Sequence, residues 1–155
     1  MTTETSAFEI LLAEDNSADV ALVRRALKEH GIQCVLHVIQ DGAQAIQWIG
    51  NLDADPKASQ LDLVLLDMHL PKRHGEDILK RLRSTERYAQ TPVIMMTSAS
   101  TSRIEEIATK HAAVVYFVKP SSLEKFMQLG AIVQLVLSGR YPDLDDVVGS
   151  TRGAA

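Results

Sequence analysis

Apolar and polar positions fall into alternating blocks along this chain. Five short apolar runs stand out: Phe8–Ala13, Cys34–Ile39, residues 63–66, residues 92–96 and Val114–Val118. Such runs, rich in branched side chains and bounded by turn residues, predict strands buried on both faces of a sheet. The stretches between them carry helical spacing. Val20, Val23, Ala26 and Leu27 form one apolar stripe, with Asn16 or Ser17 as cap, a start near Ala18 and Gly31 as stop. After the Asp41-Gly42 turn, Ala45, Ile46 and Ile49 predict a helix over residues 43–51, and the polar residues 51–60 predict a surface loop. Ile78, Leu79 and Leu82 mark a helix over residues 76–85. Residues 102–111 are only weakly amphipathic, so this segment is expected to be the most mobile. A capping box, Ser121-x-x-Glu124, opens a last helix that runs to about Leu137 and stops at Gly139. Residues 1–7 and 140–155 are polar and expected to be flexible termini, which leaves one domain over residues 8–139.

Strands alternating with helices predict an α/β fold, a doubly wound five-stranded parallel sheet with helices on both faces and right-handed crossovers. In such sheets ligands bind outside the carboxyl ends of the strands. The residues at those ends therefore decide what chemistry is available. The first run ends in Glu14-Asp15-Asn16 and the third in Asp67, followed by Leu70-Pro71 and Gly75. The fourth runs into Thr97-Ser98 and the fifth into Lys119-Pro120.

Taken alone, Asp67 reads equally well as a turn residue. The second acidic cluster shifts that balance. If the first and third strands are neighbours, Glu14, Asp15 and Asp67 share a pocket, where mutual repulsion costs several kcal/mol. A divalent cation with oxygen ligands, Mg²⁺ or Mn²⁺, would offset it. Lys119 would either neutralise the remaining acidity or hold an anion such as a phosphoryl oxygen. A metal, a hydroxyl and a lysine around one carboxylate are the setting for phosphoryl transfer onto Asp.

These pieces, in this order and spacing, resemble the receiver domain of two-component response regulators. The matching residues are Glu14-Asp15, Asp67, Leu70-Pro71 with Gly75, Thr97, Tyr116 and Lys119-Pro120. The resemblance implies the flavodoxin-like strand order 2-1-3-4-5. It makes Asp67 the phosphoacceptor, with Mg²⁺ on Glu14, Asp15, Asp67 and the backbone carbonyl of His69. Thr97 and Lys119 would contact the phosphoryl group, and Thr97 and Tyr116 would switch the surface of the fourth helix, fifth strand and last helix. It also implies a cis peptide before Pro120. The wording Leu-Asp-Met-His-Leu-Pro-Lys-Arg-His-Gly and the long loop before the third strand look like the stand-alone regulators that partner bacterial phytochrome histidine kinases. The expected partner is thus a sensor histidine kinase or a phosphotransfer protein, which Lys72-Arg73 on the site loop could greet. His69 and Ala99 occupy positions that help set the lifetime of the phosphoryl bond in that family.

Composition narrows the alternatives. The formal net charge is −4, which offers no general attraction for nucleic acid, and no apolar run approaches a membrane span. The single Cys34 excludes an intrachain disulfide and fits a reducing cytoplasm; its apolar surroundings predict a buried, unreactive thiol. The five histidines lack metal-ligand spacing. The short polar tail after Gly139 argues against a DNA-binding output domain. A hydrolase of the haloacid dehalogenase type would need a second Asp where His69 stands. A receiver acting as an unphosphorylated docking scaffold is the other alternative. In the last helix Leu129, Ile132, Leu135 and Val136 widen the apolar arc beyond one stripe, which predicts a homodimer, or a tail folded back over the arc.

Overall fold

The computed structural model describes residues 7–58, 60–70, 72, 74–98, 106–107, 110–111 and 114–139. The strands are β1 (Phe8–Ala13), β2 (Cys34–Ile39), β3 (Leu63–Asp67), β4 (Val93–Thr97) and β5 (Val114–Val118). They form one parallel sheet in the order β2-β1-β3-β4-β5. The helices are α1 (Ser17–Glu29), α2 (Gly42–Ala54), α3 (Gly75–Ser84), α4 (Leu123–Phe126) and α5 (Leu129–Leu137). The α/β class and the expected strand order both hold.

The continuous apolar runs have a direct cause. Every residue of the central strands β3 and β4 is buried, because helices cover both faces. Alternation then splits the core in two. Ile10, Leu12, Leu63, Leu65, Ile94, Met96 and Phe117 pack against α1, α4 and α5. Leu11, Ala13, Val64, Leu66, Val93, Met95 and Tyr116 pack against α2 and α3. The edge strand β2 is only half-buried, in keeping with its place beside solvent.

Element boundaries shift where capping chemistry decides them. Asn16 caps α1 by accepting from the Ala18 and Asp19 amides, and Gly31 ends it at φ +65°. Helix α2 runs three residues past the predicted end, into the expected polar loop, with Leu52 packed inward. Ser122, rather than Ser121, caps the last helical segment by accepting from the Lys125 amide.

That segment is two helices, not one. The amides of Gln128, Gly130 and Ala131 bond three residues back, so the chain tightens into 3₁₀ turns around Met127 and Gln128. His30 of α1 reaches this point, and its Nε2 lies 3.0 Å from the Met127 carbonyl oxygen. The crossing is so close that a Cβ on Gly130 would overlap the His30 ring and lie 2.6 Å from the Ala26 oxygen.

The same crossing corrects the dimer argument. Leu129, Ile132 and Val136 are no more than 2% exposed, covered by the chain's own sheet and α1, and Leu135 is half-buried. Among the described residues of α4 and α5, Leu123 is the exposed large hydrophobic. The widened arc is thus core, and it no longer argues for a second copy. Residues 1–6 and 140–155, Pro71, Arg73, Ala99 and most of residues 102–111 lie outside the described residues; Ile107 of that last segment is buried.

Candidate functional site

Register brings the chemistry together. Ala13 pairs with Leu66, Asp67 with Met96 and Thr97 with Val118, so four strands end side by side. The residues at those ends, Glu14, Asp67, Thr97 and Lys119, share the carboxyl edge of the sheet. Glu14, Asp15 and Asp67 each direct a carboxylate oxygen to within 4.8 Å of the others. Glu14 and Asp67 are buried and Asp15 is exposed. A partly buried, oxygen-only donor set, open on the Asp15 side, fits a hard divalent cation that keeps some of its waters.

Lys119 is the hub of the pocket. Its ammonium lies 3.0 Å from Glu14 Oε2, 2.8 Å from Asp19 Oδ2 and 3.5 Å from Asp67 Oδ2. Burial alone would make this ammonium easier to deprotonate. The bonds to Asp19 and Glu14 and the charge of Asp67 outweigh it and push its pKa up to about 12. Lys119 is therefore a permanent cation at neutral pH. Glu14 goes the other way. Burial, with a carboxyl hydrogen bond to Asp67, pushes it up to about 7 against the pull of Lys119. The pocket carries more acid than one lysine can neutralise.

Backbone geometry holds Asp67 in place. The His69 amide donates to Asp67 Oδ1 at 3.0 Å, and the Met68 amide bonds the Met96 oxygen at 3.0 Å. Gly75 at the start of α3 closes the loop against Asp67: a Cβ there would stand 2.8 Å from the Asp67 oxygen and 3.2 Å from Met68 Cα. No side chain larger than hydrogen fits without moving that backbone. Lys72, on the same loop, adopts φ 69° and pairs with Asp41 at 3.6 Å.

Thr97 is 1% exposed at the end of β4. Tyr116, opposite Met95, lies on the same sheet face and is 5% exposed, so its ring packs inward rather than standing at the surface. His69 is exposed. No cis peptide occurs among the described residues, so the cis bond expected before Pro120 is absent. Cys34 is half-buried rather than buried; it lines a groove with Arg24 and Lys28 at the opposite end of the sheet, and burial raises its pKa.

Asp19 is the member that sequence reading missed. Its signal was available: it stands in the first turn of a helix that begins at the carboxyl edge of β1, four residues after Asp15. An acid in a helical first turn has an ordinary explanation in the helix dipole, which hid the second one.

Comparison with known proteins agrees with this geometry. Residues 10–130 match the response regulator receiver domain family. A probable methanogenesis regulatory protein, FilR2 of Methanothrix harundinacea (strain 6Ac), is 32% identical over 117 residues, 76% of this chain and 75% of its own length. Response regulator Rcp1 of Synechocystis sp. (strain PCC 6803) is 31% identical over 90 residues, 58% of this chain and 61% of that protein. The Mn²⁺-bound form of Rcp1 superposes with a TM-score of 0.72, at 26% identity, covering 84% of this chain and 94% of that one. The phosphorylated cyanobacterial phytochrome response regulator RcpA gives a TM-score of 0.75 at 26% identity, covering 86% of this chain and 96% of its own. None of the described helices is long and apolar enough to cross a membrane. The fold, the acidic pocket and the match over residues 10–130 together make this chain a member of the response regulator receiver domain family, a signalling protein of two-component systems.

Proposed function

We propose that Asp67 accepts a phosphoryl group from a phosphohistidine of a sensor histidine kinase. The observation that carries this is the convergence of Glu14, Asp15, Asp67 and Lys119 at one sheet edge. Glu14, Asp15, Asp67 and the His69 carbonyl would hold Mg²⁺ or Mn²⁺. When bound, that ion supplies positive charge for the carboxylates and for the phosphoryl oxygens. Asp67 Oδ forms the new P–O bond as the P–N bond of the donor breaks, and the electron pair of that bond goes to the imidazole nitrogen, which takes up a proton. Lys119 and the Thr97 hydroxyl bond the oxygens of the transferred group.

Thr97 and Tyr116 share one sheet face, which supports a coupled switch. New bonds at Thr97 would favour one arrangement of Tyr116 and of the surface formed by the segment before β5, β5 itself and the last helices. The reaction consumes the protein as acceptor, so the protein promotes only its own phosphorylation and dephosphorylation.

We infer a cytoplasmic regulator whose kinase is of the phytochrome type. The likeness to Rcp1 and RcpA supports this reading. Phosphotransfer from candidate histidine kinases loaded with labelled ATP tests it. Label should pass to the wild type and not to Asp67→Asn. Transfer from several unrelated kinases and none from a phytochrome-type kinase would contradict the partner assignment.

A further inference from the structure

The ammonium of Lys119 has three protons, and three carboxylates from different elements compete for it: Glu14 after β1, Asp19 in α1 and Asp67 at the end of β3. The shortest of the three contacts, 2.8 Å, goes to Asp19, and the longest, 3.5 Å, to the acceptor Asp67. Asp19 is also freed from its usual helical duty. In a capping box, the acid three residues into the helix returns a bond to the amide of the cap. Here Asn16 Oδ1 accepts from the Asp19 amide at 3.2 Å, but the Asn16 amide donates to Glu14 Oε1 at 3.1 Å instead. Glu14 fills the place that the Asp19 carboxylate would take, and that carboxylate turns to Lys119.

We propose that Asp19 is a positioning residue for phosphoryl acceptance, holding the Lys119 ammonium on the α1 side of the pocket until a phosphoryl oxygen competes for it. This rests on the acceptor role of Asp67. The lysine must give up a carboxylate to bond an incoming phosphoryl oxygen, and Asp19 stands outside the group of three acids that fits a metal. Asp19 also adds one negative charge to a pocket that a dianionic donor must enter. Both effects oppose capture of the donor more than the bond exchange that follows. Side-chain exposures of 15% for Lys119 and 22% for Asp19 leave the pair only partly screened by solvent.

The test uses the whole chain with acetyl phosphate as donor and Mg²⁺ present. Asp67 Oδ takes the phosphoryl group and acetate leaves with the electron pair of the broken P–O bond, so no further reactant is needed. Initial rates against acetyl phosphate are compared for wild type, Asp19→Asn and Asp19→Glu, each checked by thermal unfolding. Asp19→Asn should lower the half-maximal acetyl phosphate concentration by about threefold or more, while the limiting rate changes less. Rising salt should shrink that difference. Asp19→Glu, which keeps the charge, should restore the wild-type half-maximal concentration. A half-maximal concentration unchanged in Asp19→Asn, or lowered equally in Asp19→Glu, overturns the proposal and leaves Asp67 as acceptor. A wild type that takes no phosphoryl group overturns the acceptor reading, and this inference with it.

Discussion

At the residue scale, the site works because burial and charge pull its groups in opposite directions. Glu14 is buried beside two other acids, and its pKa rises from an ordinary 4.5 to about 7. Between those values the folded protein holds a proton that the unfolded chain has lost. Stability of the metal-free protein should therefore fall as pH rises from 4.5 through about 7, with the whole penalty present above it. Glu14→Gln, which resembles the protonated form, should flatten that fall and be the more stable protein at pH 8. Urea unfolding in chelator at acid and alkaline pH checks this, and parallel curves for the two proteins would count against it. The sequence made Asp67, Glu14, Asp15 and Lys119 legible because each ends an apolar run. Asp19 was not legible, because its partner lies 100 residues away and only the fold brings them together.

At the element scale, close approach of backbones decides what glycine does. Gly75 lets α3 start against the Asp67 carbonyl. Gly75→Ala should cost about 1–3 kcal/mol in urea unfolding and also slow phosphorylation, since relief of the overlap moves the strand that carries Asp67. Gly130 lets α5 cross α1 at His30, and there the same substitution should cost stability without slowing phosphorylation. The last helix shows where pattern reading ran out. Its apolar arc was visible in sequence, but the surface that covers it was not. Counting apolar residues on a helix gives the width of the buried face only if its neighbours are known. With Ile132 fully buried, Ile132→Glu places a charge in the core and should destabilise the protein by more than about 3 kcal/mol. Denaturation and sedimentation together test that: a stable, folded variant that merely dissociates from a dimer would restore the interface reading. The 3₁₀ break at Met127 was also invisible, since no glycine or proline stands at Met127 or Gln128.

At the scale of the whole molecule, parallel register does the assembling. Residues 14, 67, 97 and 119 are far apart in sequence, yet the strands that carry them end at the same edge. Strand runs and their terminal residues were readable from the apolar pattern; strand order came from the family resemblance, because alternation of strands and helices alone is compatible with several orders. The acidic edge should bind Mg²⁺ before any phosphoryl group arrives. Asp15→Ala removes one of three clustered carboxylates and should weaken Mg²⁺ binding by about tenfold or more in calorimetric titration. Unchanged affinity would remove Asp15 from the metal site. The central claim is that Asp67 is the acceptor, and peptide mapping by mass spectrometry after treatment with acetyl phosphate and Mg²⁺ tests it most directly. The account predicts one phosphoryl group on the peptide containing Asp67 in the wild type and none in Asp67→Asn. Phosphorylation of Asp67→Asn at the wild-type rate, on any residue, would contradict it.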